Sequence, residues 1–250
     1  MIAVENLVKR YGAFTAVDGI TLDVRSGEIH GFLGPNGAGK TTTIKMIAGL
    51  LKPTAGRVLV NGHDVQTQPE AAKSSLGFIP DRPFIYDKLT AGEFLRFHAG
   101  LFGVSGNGTA TRIAEMLELF DLARWEHELI ESFSHGMKQR LVMSAAFLHR
   151  PRAVVVDEPM VGLDPRGARL IKDVFRRMAD HGVAILMSTH TLEVAQELCD
   201  RISIILKGRI IAQGTVDDVR RLAGGEDEHL TPVFLKLTGG SALQEIDEIV

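Results

Sequence analysis

The run Gly34-Pro35-Asn36-Gly37-Ala38-Gly39-Lys40-Thr41-Thr42 constrains this chain more than any other stretch, because it satisfies the phosphate-binding pattern G-x-x-x-x-G-K-[ST] at every fixed position. Its flanks support the same reading. Glu28 to Leu33 reads as a buried strand entering the loop. Thr43 to Leu50 reads as a helix leaving it, with Ile44, Ile47, Ala48 and Leu51 at helical spacing. Gly34, Gly37 and Gly39 permit backbone angles and a closeness of approach that a side chain would block. The loop N–H groups then point inward as an anion-binding nest at a helix N-terminus. Lys40 is placed to neutralise β- and γ-phosphate charge, and the Thr41 hydroxyl to ligate Mg²⁺. A nucleotide site on an α/β fold is expected.

Composition narrows the setting. With 250 residues and 45% hydrophobic content, the chain can build one large domain, or a domain with an appendage. The net charge is −3, with basic and acidic residues interspersed, so no nucleic-acid partner is expected. No apolar run approaches the ~20 residues of a spanning helix, and Met1 to Glu5 lacks the basic and apolar regions of a signal peptide. The lone Cys199 cannot form an internal disulfide, which fits a reducing compartment. It continues the pattern Leu192, Ala195, Leu198, which marks it as a core thiol. A cytoplasmic chain is expected, reaching the inner face of a membrane only through a partner.

Strands are expected at Ile2 to Val8 and Ile20 to Val24, with Tyr11-Gly12 in the loop between them. Further strands are expected at Arg57 to Val60, Leu76 to Ile79, Ala153 to Asp157 and Val183 to Ser188, with a hairpin at Ile202 to Leu206 and Arg209 to Gln213. From Ala91 to Arg150 the pattern turns helical, as in Phe94, Leu95, Phe97 and Leu101, then Ile113, Leu117 and Phe120. A helical block inside an α/β chain reads as an inserted subdomain, with Gly103 to Gly108 as a joint within it. Helices are also expected at Arg166 to Ala179 and Thr191 to Cys199. Gly224 to Glu228 reads as a linker before a small strand and helix.

The second chemical signal is Val154-Val155-Val156-Asp157-Glu158. An aspartate at the C-terminal end of a buried parallel strand stands where α/β sheets place ligands. Asp157 can hold Mg²⁺ opposite Thr41, and Glu158 can take a proton from an attacking water.

With these residues assembled, the chain resembles the ATP-binding subunit of an ABC transporter over nearly its whole length. Phe133-Ser134-His135-Gly136-Met137-Lys138-Gln139-Arg140 is similar to the family signature L-S-G-G-Q-x-x-R, and Pro159 to Pro165 resembles the D-loop. Ser188-Thr189-His190 resembles the switch-histidine motif, and Tyr11 falls where the family places an adenine-stacking aromatic. The resemblance implies a P-loop NTPase core with a mixed sheet, an antiparallel β subdomain and an inserted α-helical subdomain. It places the ATP-binding domain at 1–222, with the helical part at about 88–150 and a short C-terminal extension at 223–250. It further implies that two copies, or two homologous cassettes, pair head to tail around ATP and Mg²⁺. Each ATP then touches Gly34 to Thr42 of one cassette and Ser134 and Gly136 of the other. Lys40, Glu158 and His190 are the implied catalytic groups, Asp157 the metal ligand, and Asp164 a link between the sites. The implied partner is an integral membrane permease subunit on a separate chain.

Two positions depart from the family pattern. Pro80-Asp81-Arg82 stands where the Q-loop glutamine is expected, and Asp81 offers Mg²⁺ a shorter, charged oxygen. His135 replaces the first signature glycine, which costs energy only if the position needs φ > 0. Thr231 to Gly239 resembles a tail found in ATPases of the ABC-2 type, which favours an exporter. A soluble ABC ATPase acting on ribosomes or DNA is the alternative, but the single P-loop and the short helical block fit it poorly. Phe84-Ile85-Tyr86 and Leu89 form an apolar cluster in a proline-broken segment. They are expected either to meet a helix of the membrane subunit or to fold back onto the helical core.

Overall fold

The computed structural model describes residues 1–82, 84–222 and 230–238. Ten strands and nine α-helices are named among them. The N-terminal third supplies β1 (Ile2–Tyr11), β2 (Phe14–Val24), β3 (Ile29–Leu33), α1 (Lys40–Ile47), β4 (Ala55–Val60), β5 (His63–Asp64), α2 (Pro69–Ser74) and β6 (Leu76–Ile79). The helical block follows as α3 (Ala91–Leu101), α4 (Thr109–Leu119) and α5 (His135–Phe147), with short 3-10 turns between the last two. The remainder is β7 (Ala153–Asp157), α6 (Pro165–Asp180), β8 (Ala184–Thr189), α7 (Leu192–Leu198), β9 (Arg201–Leu206), β10 (Arg209–Thr215), α8 (Val216–Leu222) and α9 (Leu230–Thr238).

Two sheets result. One is four-stranded in the order β2-β1-β4-β5, and its paired strands are all antiparallel. The other is six-stranded in the order β10-β9-β3-β8-β7-β6, parallel except for the β9–β10 hairpin at one edge. β3 and β7 are buried at every residue, as expected of parallel strands covered on both faces. Their alternation divides the interior. Ile29, Leu33, Val154 and Val156 face the core shared with the helices. Phe32 and Val155 face a second core, where α1 and the antiparallel sheet contribute Ile44, Ile47, Ile2, Val4 and Leu22. The fold is therefore an α/β P-loop NTPase with a mixed sheet, an antiparallel sheet and a helical block.

Local chemistry fixes the element ends. The Thr90 hydroxyl accepts from Glu93 N at 3.2 Å, while Thr90 N donates to Glu93 Oε2 at 2.8 Å, a capping box that starts α3. Asp164 caps α6 by accepting from Gly167 N at 2.6 Å, and Pro165 fills the first helical position. Cys199 is buried, and burial pushes its thiol well above the usual range, which fits a core role.

Several expectations need correction. Tyr11 closes β1 rather than lying in a loop, because the hairpin turn needs only Gly12 and Ala13. Helix α1 begins at Lys40, directly on the phosphate-binding run. Phe97 and Leu101 share the α3 pattern with Phe94 and Leu95 but are exposed. Residues 230–238 form a helix, where a small strand and helix were expected. The expected linker at Gly224 to Glu228 lies outside the described residues, as do Pro83 and Gly239.

Candidate functional site

The phosphate-binding run leaves the C-terminal end of β3, the strand flanked by β8 and β9. Its glycines are required by close approach as well as by φ. A Cβ on Gly34 would stand 2.4 Å from Ile205 O, and one on Gly39 (φ 111°) would stand 2.7 Å from Ala16 O. Gly208 N donates to Ala38 O at 2.9 Å, so the β9–β10 turn buttresses the loop from outside. Asn36 and Thr41 are exposed and Thr42 half-buried at the mouth of the turn. This backbone-walled cradle fits a phosphate chain, which needs N–H groups and no intruding side chain.

Lys40 is buried, and its ammonium donates to Gly34 O at 2.6 Å and Pro35 O at 3.3 Å. Burial lowers its pKa, while the nearby charges of Glu158 and Asp157 oppose the shift. The sheet order explains that proximity: β3 and β7 both border β8, so their C-terminal ends carry Lys40 and the two acids to one edge. The Ser188 hydroxyl donates to Asp157 Oδ1, which orients the buried carboxylate. Glu158 adopts left-handed backbone at φ 51°, and its N–H donates to Ser188 O at 3.1 Å. Its Oε1 lies 2.8 Å from His190 Nδ1 at the end of β8. Lys40, Asp157, Glu158 and His190 are thus brought together.

Ser134 and Gly136 group with a different element. Ser134 caps α5, accepting from Met137 N at 3.3 Å. A Cβ on Gly136 would stand 3.5 Å from Gly162 O, so the start of α5 lies against the Pro159 to Pro165 loop that ends in Asp164. His135 opens α5 in ordinary helical backbone, so no φ > 0 cost arises. Its ring packs on Gly162, where a Cβ would stand 2.2 Å from His135 Cδ2. Tyr11 is half exposed at the hairpin end, with the Lys9 ammonium 5.1 Å from its ring centroid. Asp81 is exposed on the bend after β6. Among the described residues, no group of three or more His, Cys, Asp or Glu could hold a metal unaided. The Asp157 carboxylate and the exposed Thr41 hydroxyl are hard oxygen donors of the kind that suit Mg²⁺, which takes one or two protein oxygens plus phosphate and water.

One polar network was missed by the sequence reading. His30, fully buried in β3, places Nδ1 2.9 Å from Glu28 Oε1 and Nε2 2.8 Å from Ser203 Oγ on β9. Burial raises the Glu28 pKa, but hydrogen bonds from His30 and Arg25 N–H, with the His30 and Arg201 charges, hold it below the usual range. The available signal was two ionisable residues at one end of a buried strand, which must be paired to lie there.

Comparison with known proteins agrees with this geometry. The family model described as ABC transporter matches residues 17–161. The linearmycin resistance ATP-binding protein LnrL of Bacillus subtilis is 38% identical over 226 residues, covering 90% of this chain and 73% of that protein. The daunorubicin resistance ATP-binding protein DrrA3 of Streptomyces coeruleorubidus is 38% identical over 225 residues, covering 90% of this chain and 71% of its own. A solved ATP-binding subunit of an ABC transporter superposes with TM-score 0.90 at 35% identity, over 95% of this chain and 99% of that one. A dimeric bacterial ABC transporter cassette shares the fold, with TM-score 0.79 at 24% identity, over 86% of this chain and 98% of that one. The chain belongs to the ABC transporter family and is an ATP-binding domain of that family.

Proposed function

We propose that this chain hydrolyses ATP in a head-to-tail dimer and so powers export through a separate membrane subunit, on whose cytoplasmic side it sits. The observation that carries the catalytic part is the Glu158 carboxylate, held by left-handed backbone and by His190 beside Lys40 and Asp157. The Gly34 to Thr42 backbone and Lys40 bind the phosphates, and Tyr11 stacks on the adenine. The Ser188 hydroxyl engages one Asp157 oxygen and leaves the other for the metal, with Thr41 opposite and Asp81 as a second available carboxylate. Mg²⁺, when bound there, neutralises charge on the β- and γ-phosphates. Glu158 takes the proton of the attacking water, while His190 fixes the carboxylate and contacts the γ-phosphate. Ser134, Gly136 and the α5 N-terminus reach the phosphate of the facing cassette. Asp164, on the loop that packs against α5, links the two sites.

An exposed apolar surface supports the membrane partner. Phe84 is 89% exposed, and the partly exposed Tyr86 ring meets Phe97 edge-on at 5.6 Å. Phe97 in turn touches His98, which lines a cavity of about 260 Å³ with Leu50, Phe78, Phe102 and His149. An amphipathic helix of the membrane subunit fits such a groove. The names of the two relatives, a linearmycin resistance and a daunorubicin resistance ATP-binding protein, support a drug as cargo and export as direction.

The catalytic reading is tested with Glu158→Gln. Turnover should fall ~10²-fold or more, the scale of a general base. ATP binding should persist, and a nucleotide-bound dimer should accumulate on a sizing column. Near-normal phosphate release by the variant would refute it.

A further inference from the structure

A second, larger cavity of about 610 Å³ lies between α4, the α5–β7 connection and the C-terminal end of α6. Its volume falls within the range of small-molecule pockets. It is separate from the nucleotide site: Arg152 precedes β7 and Asp157 ends it, so the five-residue strand spans roughly 15 Å between them. Its floor is apolar, formed by Met116, Phe147, Val174 and Met178. Its polar lining is cationic: Arg112, Arg150, Arg152 and Arg177, with His181 beside them and no carboxylate among the lining residues.

The four arginines differ in what holds them. Arg112 is engaged, donating to Phe147 O at 2.9 Å, Leu148 O at 3.3 Å and Glu115 Oε2 at 3.1 Å. The guanidinium groups of Arg150, Arg152 and Arg177 have no hydrogen-bond or carboxylate partner among the described residues. The dipole at the end of α6 accounts for a cation at Arg177. It does not account for Arg150 and Arg152, which precede β7. Arg150 also adopts φ 53°, a conformation that favours glycine or asparagine, so the residue is not explained by its backbone. Arg150, Arg152 and Arg177 are exposed at the rim around an apolar floor, their guanidinium groups without a partner among the described residues. In a chain of net charge −3, their grouping at one cavity mouth favours one ligand chemistry. The planar forks match a phosphate or carboxylate, and the floor matches an aliphatic or aromatic body.

We propose that this cavity binds a small amphiphilic anion, with its phosphate or carboxylate head on Arg150, Arg152 and Arg177 and its apolar body on Met116, Phe147, Val174 and Met178. The anion is either a dissolved metabolite or a lipid presented by a bilayer. The test titrates the full chain by calorimetry with octyl phosphate, inorganic phosphate and octanol, with the nucleotide site saturated by ADP so that the phosphate-binding loop cannot compete. Octyl phosphate should bind one per chain, and each half-molecule at least about tenfold more weakly, because both parts of the site contribute. Arg152→Glu with Arg177→Glu should weaken octyl phosphate binding by about tenfold or more while leaving ADP affinity unchanged. Should that pair fail to fold, Arg152→Gln with Arg177→Gln keeps the stems and asks the same question. Co-sedimentation with phosphatidylcholine vesicles carrying phosphatidic acid, lost in the arginine variant, makes the ligand a bilayer lipid. Octyl phosphate binding without co-sedimentation makes it a dissolved anion. Equal binding of octyl phosphate and inorganic phosphate, or affinity unchanged in the arginine variants, would overturn the proposal.

Discussion

The nucleotide end of the six-stranded sheet and the aromatic surface of the helical block are built on opposite terms. At the sheet end the key groups are held in place: Gly34 and Gly39 lie against Ile205 O and Ala16 O, and Asp157 and Glu158 are tied to Ser188 and His190. On the helical block, Phe84, Tyr86, Phe97 and Leu101 are left exposed, and an edge-on ring contact joins Tyr86 to Phe97. A ligand of fixed shape demands backbone chemistry that only a few residue types supply. A surface for another protein demands only apolar area withheld from the core, which many residues supply.

That contrast predicts how each region responds to change. Lys40→Ala removes a charge-assisted contact to phosphate and should weaken ATP binding ~10²-fold by calorimetry. Unchanged affinity would remove the nucleotide end from its side of the comparison. Gly34→Ala forces a Cβ against Ile205 O and should cost about 1–3 kcal/mol in a urea titration. ATP affinity should fall with it, since the wall of the cradle has to move. Phe84→Ser with Tyr86→Ser should lower stability by no more than ~1.5 kcal/mol, the scale of one aromatic pair. ATP affinity should be unaltered, whereas pull-down of the membrane subunit from solubilised membranes should be lost. A grossly destabilised double variant would show that these rings belong to the core.

The smallest effect is a dependence on pH. Burial lowers the pKa of His98 and of His149, which stacks on Phe102 at 3.9 Å and donates from Nε2 to Leu76 O at 3.2 Å. A lowered folded-state pKa means that the unfolded chain binds the proton more readily. The stability these groups contribute is therefore full above the ordinary histidine value of about 6.5 and declines as pH falls through it. The urea midpoint should drop between about pH 7.5 and about pH 5.5, and His149→Asn should flatten that slope. A slope equal to wild type would mean that His149 does not titrate with unfolding.

The sequence was legible where a residue type had no substitute. The loop glycines, Lys40, Asp157 and Glu158 stand out in the sequence because a phosphate-binding pattern leaves few alternatives, and the structure brings them to one edge of the sheet. The buried strands could be read because parallel sheet covered on both faces needs unbroken apolar runs. Helical periodicity failed at α3 for a physical reason. Phe94 and Leu95 face the core while Phe97 and Leu101 face outward, and period alone cannot separate a buried apolar face from an exposed one. The packing of His135 on Gly162 was invisible because the two residues are far apart in sequence and no motif joins them. The Glu158 backbone conformation left no trace either, since glutamate is not a residue that announces φ > 0. Residues 230–238 read partly as strand because Thr231, Val233 and Phe234 favour extended chain. Pro232 lies in the first turn of α9, where a missing N–H costs nothing.

The neighbours of β3 carry a consequence for synthesis. The strand that launches the phosphate loop lies between β8 and β9, and Ile205 O forms one wall of the cradle. Residues 29–39 emerge from the ribosome before the surfaces that shape them, which follow about 150–170 residues later. At 5–20 residues per second that delay is roughly 10–30 s. During it the nascent chain carries an apolar strand without its sheet and a glycine loop without its wall. Binding competence therefore arrives in one late step, when β9 docks. Chains stalled before Leu206 should be unable to retain ATP, however complete their N-terminal motif.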